Sequence, residues 1–327
     1  MKHSDNTIFL DYGKLTPMHL TRDITSIESL ENGCVATIGN FDGLHLGHQR
    51  IIQQLTEQAT QHQLPKVIIS FEPLPIEHFA AEKALRISPF RDKVKQLEQL
   101  GIDHFLCLRF NEAFANMPPE SFVQNALINH FKVRSLVVGD DFCFGSNRQG
   151  NYELLQSMGR QHGMQVSNNQ TCSDESGRIS STRIRHHLQQ GEMEAARKLL
   201  GRNYTLSGRV RHGNKLGRTI NFPTMNLRIQ DNIAAAKGVY AVKLHGINNQ
   251  VFKGVANLGN RPTVGGTETR LEIHAFDFTQ SVYGQHVEVE LETFIRAEKR
   301  FADFSALREQ IQQDAALARE LLHTQTL

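Results

Sequence analysis

The sequence predicts two domains of different class: an α/β domain on a doubly wound parallel sheet, then a small antiparallel β-barrel followed by a terminal helix. Three observations carry this prediction. The 327 residues exceed what one hydrophobic core organises, at roughly 150 residues per domain. The first half alternates short apolar runs with amphipathic stretches, the pattern of repeated strand-helix-strand units. After residue 203 the texture changes to alternating strand-like runs separated by Gly, Asn and Pro turns. The boundary is therefore set at 200, giving domains 1–200 and 201–327.

The elements follow in order. Val35-Ala-Thr-Ile38, Val67-Ile-Ile-Ser-Phe71, Phe105-Leu-Cys-Leu108 and Ser135-Leu-Val-Val138 are too short for buried helices. Being mostly β-branched or aromatic, they read as buried parallel strands. Between them, Ile51, Ile52, Leu55 and Ala59 recur at helical spacing, as do Val94, Leu97 and Leu100 before Gly101. A helix over about Glu192–Leu200 stops at Gly201. Val239–Leu244, Leu271–Phe276 and Val287–Leu291 are barrel strands by their alternation. A last helix, about Phe304–His323, puts Leu307, Ile311, Ala315, Ala318 and Leu322 on one face.

Composition excludes several classes of function. Apolar residues at 39% and charged residues at 21% describe a globular chain. Lys and Arg total 36 against 34 acidic residues, so no basic coat is available for a nucleic acid. No apolar run reaches the ~18–20 residues of a membrane span, and the first residues lack a secretory apolar stretch. Four cysteines without a Cys-x-x-Cys pair fit reduced thiols in the cytoplasm.

The first chemical constellation is Gly39-Asn-Phe41-Asp42-Gly43-Leu-His45-Leu-Gly47-His48, between a strand and a helix. Its glycines let the backbone approach a ligand, and the following helix start offers unpaired N–H groups to an anion. His45 and His48 lie three apart and share a face, so both can donate to one phosphate. The glycine spacing matches neither the dinucleotide fingerprint nor the phosphate loop. A zinc pair or two surface histidines are the competing readings, and the zinc pair lacks a third ligand.

Arg178-Ile-Ser-Ser181-Thr182-Arg-Ile-Arg185 sets arginine forks and hydroxyls at a helix start, which suits a di- or triphosphate or, equally, a capped solvated helix. Gly139-Asp-Asp141-Phe-Cys-Phe-Gly145 follows the fourth strand, and its acids are placed for a ribose or base edge. In the second half, Gly213 to Thr219 superficially resembles a phosphate loop. It is one residue short and carries Arg218 where Lys is required. Thr224 and Asn226 point the same way in an extended segment and offer two neutral oxygens, a set that suits Mg²⁺ or an ordinary polar strand face. Glu272, flanked by apolar residues, could take the proton of an attacking alcohol or simply face solvent.

Together, Gly-x-Phe-Asp-Gly-x-His-x-Gly-His, Gly-Asp-Asp-Phe-x-Phe-Gly and Ile-Ser-Ser-Thr-x-Ile-Arg resemble the bacterial bifunctional riboflavin kinase/FMN adenylyltransferase family, the FAD synthetases. Gly-x-x-Leu-Gly-Arg-Thr-x-x-Phe-Pro-Thr-x-Asn, Gly238-Val-Tyr-Ala-Val, Gly254–Thr263, Leu-Glu-x-His and Phe294–Phe301 extend the resemblance through the second half. It implies a Rossmann-like nucleotidyltransferase domain of the histidine-containing superfamily and a six-stranded Greek-key riboflavin kinase barrel. The implied reactions are riboflavin plus ATP to FMN, then FMN plus ATP to FAD and pyrophosphate. For adenylyl transfer it implies His45 and His48 as catalytic groups. Gly39, Phe41, Asp42, Asp141, Arg178, Ser181, Thr182 and Arg185 would form the nucleotide site. For the kinase it implies a nucleotide site of Gly208, Gly213, Lys215, Gly217, Thr224 and Asn226. Thr224 and Asn226 would hold Mg²⁺, Glu272 would be the base, and Arg296 would lie at the flavin. The implied partners are riboflavin, FMN and ATP, with neither nucleic acid nor membrane. Met225 stands where the family usually has alanine.

Overall fold

The computed structural model describes residues 17–22, 30–79, 84–212, 222–263 and 266–324. These fall into two compact units interleaved along the chain. One holds the described residues up to Asn40, Arg50–Phe79 and Val94–Gln170; the other holds Phe41–Gln49, 84–93 and 171–324.

The first unit carries a parallel sheet of β1 (His19–Thr21), β2 (Cys34–Ile38), β3 (Lys66–Glu72), β4 (His104–Arg109), β5 (Val133–Gly139) and β6 (Gln165–Asn169). Their order is β1-β4-β3-β2-β5-β6, every pair parallel. The four expected strands are the four central ones; β1 and β6 are edges too short or too polar to read from pattern. β2 is buried along its whole length and β3 at five of seven positions, as a sheet covered on both faces requires. Strand order reverses between β2 and β5, so Gly39 and Gly139 flank the switch point where α/β sheets receive ligands.

The helices are α1 (Leu46–His62), α2 (Pro75–Phe79), α3 (Phe90–Gln99), α4 (Glu112–Ala115), α5 (Pro119–Ser121) running into a π-helical segment (Phe122–His130), and α6 (Tyr152–His162). α1 turns Ile52, Leu55 and Ala59 inward. The π-helical segment adds Phe122, Val123, Ala126 and Leu127 to a core with Val67, Ile69, Leu136 and Val138.

In the second unit a two-residue ribbon, β7 (Ser173–Asp174) with β8 (Gly177–Arg178), precedes α7 (Ser181–Gln189) and α8 (Met193–Leu200). The barrel strands are β9 (Tyr204–Arg209), β10 (Met225–Ile229), β11 (Gly238–Ile247), β12 (Gln250–Thr263), β13 (Gly266–Ala275) and β14 (His286–Ala297). Their order is β10-β13-β12-β11-β14-β9, all antiparallel. β14 returns beside β11, the first strand of the β11-β12-β13 meander, which is the Greek-key arrangement. The sheet closes at one bridge, where the chain beyond β9 reaches Arg211 and its amide donates to Asn226 O at 2.9 Å. Inside lie Tyr240, Val242, Ala256, Leu258, Leu271, Ile273 and Val289. On the other face, α9 (Phe304–Thr324) lays Ala315, Ala318 and Leu322 over Val239, Ala241 and Val255. α9 follows the expected apolar stripe, with one addition: Asp314 is buried in it.

Candidate active sites

The Phe41–His48 turn is unusual at the backbone before any side chain is considered. Phe41 (φ 46°), Gly43 (φ 83°) and Leu44 (φ 42°) all sit in the left-handed region, which only glycine enters without strain. The turn is held from several sides. Asp42, 1% exposed, accepts from the amides of Ile87 and Ser88 at 3.1 Å and pairs with Arg185 Nη2 at 2.9 Å. Its backbone carbonyl accepts from Ser181 Oγ at 2.9 Å. At Gly43 a β-carbon would lie 2.8 Å from Ile87, so the position excludes any side chain on space as well as on φ.

These restraints deliver His45 and His48 to the start of α1, where Gln49 N donates to His45 O in the first helical bond. The imidazoles stack with centroids 3.7 Å apart and planes 18° from parallel, and Phe41 lies 5.1 Å from His48. A β-carbon at Gly47 would come within 3.2 Å of the His45 ring, so this glycine makes room for the stack. Burial pushes His45 down to about 4, Asp42 opposing the shift and Arg178, Arg202 and Arg185 adding to it. His48 is driven well below its usual value by burial, then by His45, Lys93, Arg178 and Arg185. Both rings are therefore neutral near pH 7. The amide of His48 donates to His45 Nδ1 at 3.3 Å, which leaves the proton on Nε2 and makes that atom a donor. Among the described residues, Nδ1 of His48 and Nε of Arg185 are buried without a hydrogen-bond partner, polar atoms that a bound anion would satisfy.

Several other expected residues belong to the same unit as this pair. Ser180 caps α7 by accepting from Arg183 N at 3.3 Å, which sets Ser181 and exposed Thr182 in its first turn. Arg178 is exposed at the end of β8. Arg183 is not available to a ligand in the same way, because it pairs with Asp174 through two bonds of 2.7 and 2.8 Å. Gly39 and Asp141 belong to the other unit, beyond the ends of neighbouring strands β2 and β5. Asp141 is exposed, and the missing β-carbon of Gly139 would lie 3.3 Å from its carboxylate.

Residues with no role assigned from the sequence gather beyond the same strand ends. Phe71, Phe110, Phe114, Phe122 and Phe144 form a chain of rings with centroids 5.1–5.7 Å apart, and Phe142 stacks on Phe144. Phe79, 69% exposed, extends this aromatic wall from Phe110 into solvent. Their motifs were legible as strings, but a stacking wall arises only when three strand ends meet.

In the barrel, Asn226 of β10 is directly opposite Glu272 of β13, and Glu272 is opposite Asn257 of β12. The same row runs on through Val239 to Arg296 of β14. Opposed residues share a sheet face, so Asn226, Glu272 and Arg296 lie along one face outside the barrel core. Glu272 is paired with Arg261 Nη2 at 2.7 Å. Arg296 is gripped by buried Asp314, with bonds of 2.6 and 2.9 Å. Thr224 lies just before β10, where its carbonyl is 3.5 Å from Asn226 Nδ2. A cleft of about 420 Å³ opens there, lined by Pro223, Thr224, Met225, Thr279, Ser281 and Tyr283. Gly208 is buried in β9 over Leu227. Gly213, Lys215 and Gly217 lie outside the described residues.

Among the described residues no cluster of three or more His, Cys, Asp or Glu could hold a metal. Thr224 and Asn226 instead offer neutral oxygens beside the cleft. That donor set fits Mg²⁺ accompanied by phosphate oxygens and waters, because this ion keeps few protein ligands.

Residues 27–183 match the family model for FAD synthetase, and residues 200–322 match that for riboflavin kinase. The bifunctional riboflavin kinase/FMN adenylyltransferase of Escherichia coli is 42% identical over 305 residues, 93% of this chain and 97% of that one. That of Haemophilus influenzae is 42% identical over 308 residues, 94% of this chain and 100% of its own. A crystal structure from Streptococcus pneumoniae, described as a macrolide-efflux protein, shares the fold with TM-score 0.78 and 30% identity, covering 93% of this chain and 99% of that chain. The efflux description stays with that protein. With both halves matched in order and near-full-length relatives carrying the same double designation, the chain belongs to the bifunctional riboflavin kinase/FMN adenylyltransferase family.

Proposed function

We propose that residues 201–327 phosphorylate riboflavin with ATP to give FMN and ADP, and that residues 1–200 adenylylate FMN with a second ATP to give FAD and pyrophosphate. The observation that carries this reading is the contrast between the two sites. One gathers neutral imidazoles, arginines and a helix start, and its loop carboxylate, Asp42, is consumed by two amides and Arg185. The other sets a carboxylate, Glu272, on the same face as Asn226.

Each arrangement suits one chemistry. The ribityl hydroxyl of riboflavin is neutral, so its attack on the γ-phosphorus of ATP needs a proton acceptor. Glu272 takes that proton while the oxygen–phosphorus bond forms and ADP departs. Arg261 holds the Glu272 carboxylate in place. Thr224 and Asn226 would hold Mg²⁺, which when bound neutralises phosphate charge. Gly208 belongs to the same nucleotide site, and Arg296 contacts the flavin from its place in the row.

The FMN phosphate is already an anion and attacks the α-phosphorus of ATP without a base. The protein's task is positioning and charge stabilisation. His45 Nε2–H, His48, Arg178, Arg185, Thr182 and the backbone amide of Ser181, whose hydroxyl is held by Asp42 O, donate to the phosphates at helix starts. Gly39 and Phe41 admit the nucleotide closely, and Asp141 addresses its ribose or base. None of Cys34, Cys107, Cys143 and Cys172 is in a disulfide, in keeping with work in the cytoplasm.

Two half-reactions test the assignment. Riboflavin with γ-labelled ATP should yield labelled FMN, and FMN with α-labelled ATP should yield labelled FAD. Failure of either transfer removes that activity from the reading.

A further inference from the structure

We propose that Arg202, a residue of the riboflavin kinase half of the sequence, is a positioning residue for adenylyl transfer. Its guanidinium clamps the Phe41–His45 turn by the backbone. The inference rests on the adenylyltransferase reading of the His45/His48 site.

Arg202 Nη2 donates to Gly43 O at 2.8 Å, and Nη1 donates to Leu44 O at 3.4 Å and Leu200 O at 3.3 Å. Gln49 Nε2, from the first turn of α1, donates to the same Leu44 and Leu200 carbonyls at 2.9 Å each. Two donors thus join the last carbonyl of α8 to the carbonyl just before His45. The chain reaches this point through Gly201, whose φ of 71° ends α8; a β-carbon there would lie 2.5 Å from Leu46. Arg202 is partly buried, and burial lowers it to about 10, so it remains a cation at neutral pH.

The clamp grips the residues that need it. Gly43 and Leu44 are two of the three left-handed positions in the turn, and a non-glycine residue such as Leu44 is strained in that region. Such a conformation persists only where its surroundings over-determine it. Asp42 is fixed by Ile87, Ser88 and Arg185 on one side of Gly43. Beyond Gly43, Arg202 and Gln49 hold the carbonyls leading into His45. A guanidinium fork spans two carbonyls at once, whereas an ammonium is a point donor. Tyr204, two residues on, repeats the theme: its hydroxyl donates to Ile87 O at 2.8 Å, beside the amide that grips Asp42.

The test uses the full chain with Arg202→Ala and Arg202→Lys, assayed for both transfers. Arg202→Ala should lose roughly 10- to 100-fold in kcat for FAD formation from supplied FMN, the scale of about 1 Å misplacement. Phosphorylation of riboflavin by the same preparation should stay within about twofold of wild type. Arg202→Lys should fall between, and millimolar guanidinium ion should restore part of the Arg202→Ala rate. Adenylylation at the wild-type rate in Arg202→Ala overturns the proposal. So does a parallel loss of both activities in Arg202→Lys without guanidinium rescue, because that marks a fold-wide effect. A wild-type protein that makes no FAD from FMN would overturn the adenylyltransferase reading itself.

Discussion

Asn226 and Glu272 are directly opposed partners on β10 and β13, so an amide and a carboxylate distant in sequence share one sheet face. Asn226 is 6% exposed, whereas Glu272 is open enough to pair with Arg261 at 2.7 Å. A half-buried carboxylate held by a cation keeps a fixed position without being sealed from substrate.

Replacing that carboxylate should separate the two activities. Glu272→Gln is expected to lower riboflavin phosphorylation by about 10²–10⁴, the usual contribution of a general base. FMN adenylylation should remain at the wild-type rate, and product chromatography with riboflavin or FMN as substrate measures both. A folded variant that loses both transfers would contradict independent sites.

The histidine stack makes the reciprocal prediction. His48→Ala removes a ring 3.7 Å from His45 and should cost adenylyl transfer roughly 10²–10³ in kcat, as for loss of one preorganised donor. Riboflavin phosphorylation should not change. An adenylylation rate near wild type would remove His48 from the mechanism.

Acid should weaken the fold through His45. Its native value of about 4 lies below the unfolded value near 6.5, so the unfolded chain binds the proton more readily. Stability is then complete above about pH 6.5, falls as pH drops toward 4, and levels off below that. The full loss is about 3 kcal/mol. His45→Asn should flatten this part of the pH profile in urea unfolding. An unchanged slope would show that His45 takes up its proton equally readily in the folded and the unfolded chain.

Asp314 offers a stability test far from phosphate chemistry. It is 4% exposed in α9 and makes bonds of 2.6–3.1 Å to Arg296. Asp314→Ala leaves the guanidinium without its carboxylate and should destabilise the protein by about 2 kcal/mol, with a higher KM for riboflavin. Thermal unfolding and kinase kinetics read the two effects, and an unchanged KM would detach Arg296 from the flavin.

The sequence was most legible where pattern and chemistry coincide. β2 to β5 carry short, mostly apolar runs because both faces of a parallel sheet are buried, and the Phe304–Thr324 helix shows its stripe. The spacing of His45 and His48 put them on one face, and their rings stack. What pattern could not show is long-range pairing. Asp42 reads as a ligand candidate, yet the fold spends its carboxylate on Ile87, Ser88 and Arg185. Asp314 sits on an apolar stripe where only its partnership with Arg296 explains it. Arg202 follows a helix stop with no motif around it, and its meaning lies in carbonyls more than 150 positions earlier. Edge strands β1 and β6 lack the apolar run that marks the centre of the sheet.

The most direct measurement of the central claim is a time course of the purified protein with riboflavin, ATP and Mg²⁺, with the flavins separated as they form. The account predicts that FMN rises first and is then consumed as FAD accumulates, with one ADP and one pyrophosphate per FAD. FMN that accumulates without conversion in excess ATP, or riboflavin that remains unphosphorylated, would contradict it.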